Sequence, residues 1–389
     1  MEGFFAKEDM EDKDAPCVKC KLHKTCNTPR IKVGGKGGKK ILIIGEMPSA
    51  TEDEEGVMGR GSATEILKLA LKENGISLKK DCWKTNAVSC RTPKGKAPSK
   101  QQIKLCHSRL ESVIKKKKPN LIILLGNVAL DSFINTRLSE ASGGINRWRG
   151  FIVPDQRYKT WMMSTYHPSH IMKSRDEKIL LNLFKRDLEA GLKKLKKKVP
   201  VYKHKIEILS NDRANNMLQQ YLDSPPDLLS FDYETTGLKP YKKGHEIVCV
   251  AVCCSDTAFA FTLEDKKVLK YWKQVLKDKG IKKTAQNLKF EQLWSKIILG
   301  TTVKGWKWDT MQASHILDNR KYIVGLKFQS YINFGQEDYS SHLDKYIKTK
   351  DDEEFNKIRE AGINQVMQYC AMDAILEHKL ALKQMKELE

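Results

Sequence analysis

Long apolar runs are missing from this 389-residue chain. None approaches the roughly 18 residues that cross a bilayer, so no membrane partner is expected. An export signal is missing too. The opening MEGFFAKEDMEDKDAP is acidic and short of apolar side chains, where a signal peptide needs a basic start and a greasy centre. Prolines number only twelve, and 40% of residues are apolar, which excludes a largely disordered chain. Acidic residues are the scarcer charge: 48 Asp+Glu stand against 70 Lys+Arg, a net +22. The surplus gathers in patches such as Lys115 to Lys118 and KKLKKK at 193–198. It points to a polyanionic partner or to lysine-rich solvated surfaces, and charge alone does not separate the two.

What is present is enough for two packed cores, and the length predicts two domains of roughly 200 residues. Ten cysteines without an export signal predict reduced thiols or metal ligands, not a disulfide framework, in a cytoplasmic setting. In the first half, the short apolar runs KKILIIGE, WKTNAVSC, NLIILLGN and WMMSTYHP alternate with helical patterns such as SATEILKLALKENG and SKQQIKLCHSRLESVIKKKK. That alternation predicts a three-layer α/β/α domain with a parallel sheet, whose ligands bind beyond the carboxyl ends of the strands. Glu46, Asn86, Gly126 and His167 sit at such ends.

The pattern changes near Val199–Pro200. DLLSFDYETTGL, EIVCVAVCCSD and AFAFTLE read as three consecutive strands; the strand IKKTAQN and several helices follow, the last through NQVMQYCAMDAILEHKLALKQMKEL. This predicts a second α/β domain with a mixed sheet. The expected division is an acidic disordered tail over 1–14, a first domain over 15–195, a basic linker over 196–205 and a second domain over 206–389. No internal repeat relates the halves.

In FDYETTGL, Asp232 and Glu234 stand two apart on a strand and leave the same face. Hard oxygen ligands there suit Mg²⁺ or Mn²⁺. AQNLKFEQLW offers Asn287 and Glu291 where a strand passes into a helix, and in YCAMD Tyr369 and Asp373 share a helix face. Asp309 is expected as a helix N-cap or structural residue. Carboxylates on three separated elements can hold two metals about 4 Å apart, a pair that activates water and stabilises the leaving oxygen of a phosphodiester. With FDYET, NLKFE and YCAMD as its three motifs, the segment 228–389 resembles the DEDDy 3′–5′ exonucleases. The run WDTMQASHILDNRKYIVGLKFQSYINFG makes it more similar to the proofreading domain of phage-type family A DNA polymerases. The resemblance implies a ribonuclease H-like fold, with Asp232, Glu234, Glu291 and Asp373 as ligands of two Mg²⁺ (or Mn²⁺) and Tyr369 positioning the attacking water. The family's second motif usually ends in Asp, where this chain has Glu291.

In the first half, Cys17, Cys20, Cys90 and Cys106 form the spacing C-x2-C-x69-C-x15-C among charges, turns and a strand end, which suits zinc or an iron–sulfur cluster. Cys26, with no partner at ligand spacing, reads as a bystander. This spacing, with IIGEMPSATEDEEG, TNAVSCRTPKGKAPSKQQIKLC, IILLGNVAL and TYHPSHIM in order, resembles family 4 uracil-DNA glycosylases over residues 15–195. The resemblance implies a [4Fe-4S] cluster on the four cysteines. It also implies that Asn86 reads the uracil edge, that His167 donates to the charge developing on uracil O2, and that Glu46 and the backbone after it orient the attacking water. Met47 and Ser49 depart from the family's G-E-A-P-G. The stacking phenylalanine is absent, since no aromatic lies between Gly45 and Gly75. Its loss costs about 1–3 kcal/mol of base binding, with Met58 as a partial substitute. Glu52 to Glu55 are expected to form a solvated loop beside the pocket.

Together the resemblances imply a DNA-processing enzyme acting on single-stranded 3′ ends and uracil-containing DNA, in a bacterial host cell if the chain is phage-encoded. Too few residues follow Asp373 for polymerase carboxylates, so a DNA polymerase module is expected downstream on the same gene or as a separate chain. The alternative is a first domain that holds uracil or a modified base without cutting, or that merely clamps DNA beside the exonuclease.

Overall fold

The computed structural model describes residues 15–349, 351–352 and 354–389; the stretch 1–14, expected as a disordered tail, lies outside the described residues. The chain separates into two compact units between Val201 and Tyr202. The basic segment is tied to the first unit as far as Pro200: Trp161 Nε1 donates to the Lys197 carbonyl at 2.7 Å, and Gln156 Nε2 donates to that of Pro200 at 3.0 Å.

Five strands build the first sheet: β1 (Ile41–Gly45), β2 (Cys82–Asn86), β3 (Leu121–Leu125), β4 (Ile152–Asp155) and β5 (Thr160–Thr165). Their order is β2-β1-β3-β5-β4. The first four of that order run parallel, and every residue of β1 and β3 is buried, as expected of strands covered on both faces. β4 is an addition to the expected sheet. It pairs antiparallel with β5 at the edge, where Pro154 is tolerated because an edge strand can spare a donor.

The second unit has β6 (Lys205–Ile208), β7 (Leu229–Thr235), β8 (Ile247–Cys253), β9 (Thr257–Phe261), β10 (Lys283–Ala285) and β11 (Trp306–Asp309), ordered β11-β10-β7-β8-β9-β6. β7, β8 and β9 form an antiparallel meander, while β6, β10 and β11 join in parallel, so the sheet is mixed. β6 (KIEI) and β11 (WKWD) alternate apolar with polar residues but are only four residues long, and they were not among the expected strands. The two faces of the sheet differ in side-chain size. Phe231, Tyr233, Val250 and Val252 point into a core with Trp272 and Trp294. On the other face, Cys249, Ala251 and Cys253 meet Cys370, Ala371 and Ala374 of the long helix Ile363–Leu388. Small residues on both surfaces let that helix lie close against the sheet, and this proximity positions its carboxylates.

Candidate functional sites

On β7, Phe231 and Tyr233 enter the aromatic core, so alternation turns Asp232 and Glu234 toward the helix Ile363–Leu388. That helix presents Tyr369, Asp373 and Glu377 at four-residue steps on one face. Glu291 lies in the first turn of the helix Lys289–Ile297 and is 2% exposed. The corner before this helix needs a left-handed residue, Asn287 at φ +67°, and Asp309 holds it. Asp309 accepts from the backbone N–H of Asn287 at 3.2 Å and of Leu288 at 3.1 Å, while also capping the helix Thr310–Leu317. Asp309 therefore has the structural place expected of it.

One oxygen each of Asp232 and Glu234 and the Cys370 sulfur lie within 4.8 Å of one another. The Cys370 thiol donates to the Asp232 carbonyl at 3.3 Å. Burial, and then the neighbouring Asp373 charge, raises the Asp232 carboxyl well above its ordinary range. Burial followed by Asp232 does the same for Glu234 and Glu291. Burial also pushes Asp373 up to about 6, although the Tyr339 and Tyr369 hydroxyls and the Lys327 charge favour its ionised form. Tyr339 donates directly to Asp373 Oδ1, and its ring lies 5.8 Å from that of Tyr369. Asp232 Oδ2, Glu291 Oε2 and Glu377 Oε2 are buried without a hydrogen-bond partner. Unpaired buried carboxylates are costly unless protonated or given a counter-charge. This donor set, hard oxygens lacking only a cation, fits divalent metal ions.

The structure thus gathers Asp232, Glu234, Glu291, Tyr369 and Asp373, and adds Tyr339, Cys370 and Glu377, which the sequence reading had not named. Glu377 had a signal: it stands one helical turn after Asp373. Tyr339 had none, being 34 residues away in an irregular segment.

In the first unit, Asn86 ends β2, Glu46 follows β1, Gly126 follows β3 and His167 follows β5, at the carboxyl ends of four adjacent strands. Gly126 permits the convergence. A Cβ there would lie 2.5 Å from Glu46 Oε1 and 3.0 Å from His167 Cβ, and its φ of +83° favours glycine independently. Glu46 Oε1 accepts from the Val128 N–H at 3.3 Å, and burial raises its carboxyl above the ordinary range. Burial, with help from the Lys84 charge, pushes His167 down to about 4, so the ring is neutral at pH 7. The Ser169 N–H donates to Nδ1 at 3.2 Å, which places the proton of the neutral ring on Nε2. Asn86 Nδ2 lies 3.7 Å from Met58 Sδ, so the side chain available in place of an aromatic rests on the residue expected to read the base.

The acidic run departs from expectation. Residues Ala50–Glu55 form a helix rather than a solvated loop, because Ser49 and Glu52 make a capping box. Glu52 is buried and accepts from the Gly59 N–H at 2.6 Å and from Lys84 Nζ at 2.9 Å. Asp53, also buried, receives the N–H groups of Asn27 and Thr28, both at 3.0 Å. Glu54 and Glu55 alone are exposed as expected.

Cys17, Cys20, Cys90 and Cys106 line one cavity of about 340 Å³, measured out to its solvent mouth. Cys17 and Cys20 belong to the short helix Ala15–Cys20, and Cys106 to the helix Lys100–Lys117. Backbone N–H groups of Arg30 and Ser89 donate to the Cys90 and Cys106 sulfurs at 3.3 and 3.4 Å, an arrangement suited to thiolates. Burial pushes the Cys90 thiol up to about 12 and raises Cys106, so a bound group must displace their protons. Four thiols around one opening fit a four-thiolate group. Cys26, remote in spacing, is brought by the fold to the neighbourhood of Cys90.

Comparison with known proteins divides the chain in the same way. The family model described as "Uracil DNA glycosylase superfamily" matches residues 31–196, and that described as "3′-5′ exonuclease" matches residues 206–389. The type-4 uracil-DNA glycosylase of Pyrobaculum aerophilum is 32% identical over 178 residues, 44% of this chain and 86% of its own. That of Thermotoga maritima is 28% identical over 196 residues, 49% of this chain and 95% of its own. A DNA polymerase of Bacillus phage SP01 is 25% identical over 323 residues, which cover 74% of this chain and 33% of the polymerase.

Proposed function

Because the chain belongs to the uracil DNA glycosylase superfamily and continues into a 3′–5′ exonuclease domain, we propose that it is a two-part DNA-processing enzyme that shortens 3′ ends and recognises or excises uracil on the same strand. The observation that carries the nuclease part is the buried carboxylate cluster with three unpartnered oxygens, since only bound cations make its ionised form tolerable. In this reading Asp232, Glu234, Glu291 and Asp373 hold two Mg²⁺ or Mn²⁺. Such a pair, when bound, supplies Lewis-acid activation of water and of the leaving 3′ oxygen. Tyr369 positions the attacking water by its hydroxyl, and Tyr339 steadies Asp373. The functional domains are 15–195 and 206–389, joined by the basic stretch 196–205. The chain spans about a third of the phage polymerase, so a DNA polymerase module is proposed as its partner. Host cytoplasm is proposed as its place of action; among the described residues no helix is long and apolar enough to cross a membrane.

The first domain holds a [4Fe-4S] cluster on Cys17, Cys20, Cys90 and Cys106. Asn86 reads the uracil edge, the Nε2–H of neutral His167 donates toward O2 of the departing base, and Glu46 orients the water that attacks the sugar carbon. The neutral imidazole suits this donor role, because it offers a proton without first placing a charge in the empty pocket.

A 5′-labelled single strand incubated with Mg²⁺ tests the nuclease: wild type is expected to shorten it and Asp232→Ala to leave it intact. Intact DNA with both proteins rejects the reading. A second reading of the first domain, a sensor that holds the base without cutting it, is favoured by Met58 lying on Asn86. Alkali treatment of a uracil-containing oligonucleotide separates the two. Strand scission after incubation means excision, and tight uracil-dependent binding without scission means a sensor.

A further inference from the structure

Glu377 is the buried acid for which the four-carboxylate reading has no use. It is 1% exposed, one turn beyond Asp373 on the same face of the helix Ile363–Leu388. Its Oε2 atom has no partner. The charges nearest to it in effect are those of Asp232, Glu291 and Asp373, all of its own sign. A fifth acid in that company repels the other four unless a cation lies among them. A purely structural buried polar group would be served as well by a neutral amide.

Glu291 and Glu377 share two features. Both are long carboxylates, and both keep a buried, unpartnered Oε2. They approach from different elements, Glu291 from the helix Lys289–Ile297 and Glu377 from the final helix. We propose that Glu377 is a fifth cation-binding carboxylate of this site, acting with Asp232 and Glu291. The inference rests on the reading of the cluster as a divalent-metal site.

Manganese titration of the full chain, followed by calorimetry and by the electron-spin signal of free Mn²⁺, tests it without recourse to nuclease activity. Glu377→Gln keeps the size and removes the charge. It is expected to bind Mn²⁺ about tenfold more weakly than wild type, and to melt at or above the wild-type temperature when cation-free. Glu377→Asp withdraws the carboxylate by one methylene and is expected to weaken binding several-fold, giving a second variant should the amide fail to fold. Wild-type affinity and stoichiometry in either folded variant overturn the proposal. If wild type itself binds no Mn²⁺, or Asp232→Ala binds as well as wild type, the metal-site reading falls and this inference with it. The first result removes only the role of Glu377.

Discussion

The two units place polar groups beyond strand ends by opposite electrostatic means. Around Glu46, Asn86 and His167 the charges are settled within the protein: Glu52 pairs with Lys84, Glu46 takes backbone N–H groups, and His167 is neutral. Around Asp232 they are left open, with carboxylates crowded together and three oxygens unpartnered. A site whose charges are balanced in the empty protein is preorganised for a neutral guest such as a base. A site whose charges are unbalanced is incomplete until a cation arrives. The contrast is in keeping with the kind of ligand proposed for each half.

The contrast breaks most sharply at Asp232. Asp232→Ala is expected to lower 3′ nucleotide removal by about 10³-fold, equivalent to about 4 kcal/mol of barrier, while uracil-dependent DNA binding stays at the wild-type level. Glu52→Gln attacks the balanced side, because it leaves the Lys84 ammonium without its carboxylate partner. A loss of about 3 kcal/mol in the stability of the first unit is expected, read by denaturant unfolding, with nuclease activity retained.

Acidity separates the halves next. The carboxyls of Asp232, Glu234, Glu291 and Glu377 are raised, so the cation-free folded state binds protons that an unfolded chain releases. Stability from such groups is full below the unfolded values near 4 and is lost as pH rises through the folded ones. His378, pushed down to about 4 by burial, and Lys283, lowered by burial to about 8, act in the opposite sense, contributing stability as pH rises past those values. In EDTA the raised carboxyls should therefore lower the melting temperature of the second unit as pH rises above about 4, against the opposing histidine and lysine. Saturating Mn²⁺ should abolish or reverse the trend, and an unchanged slope would count against the cation site. The smallest expected effect is at Met58: Met58→Phe restores an aromatic and should tighten binding of uracil-containing single strands by about tenfold.

Much of this arrangement was readable from local rules. Period two on FDYET puts Asp232 and Glu234 on one face, and period four on YCAMD puts Tyr369 with Asp373. The buried runs ILIIG and LIILL announce parallel strands covered on both sides. Reading failed where a residue's state depends on distant atoms. Glu52 to Glu55 looked like solvated surface because four successive acids usually are. Glu52 and Asp53 are buried instead, since Lys84 and the N–H groups of Asn27, Thr28 and Gly59 receive them. β4, β6 and β11 escaped notice for a related reason: each is a four-residue edge strand, too short for the alternation in KIEI and WKWD to stand out, and is defined by the neighbour it pairs with.

By itself, the sequence determined the two α/β halves, the set of thiols and the order of the carboxylates, because periodicity and spacing are properties of the chain alone. Tertiary structure decided which of those groups are compensated. It brought Tyr339 to Asp373 and Cys26 to Cys90, laid Met58 on Asn86, and left an oxygen of buried Glu377 without a partner. Whether a charge is paired depends on atoms that are close in space and remote along the chain, and only folding makes them neighbours.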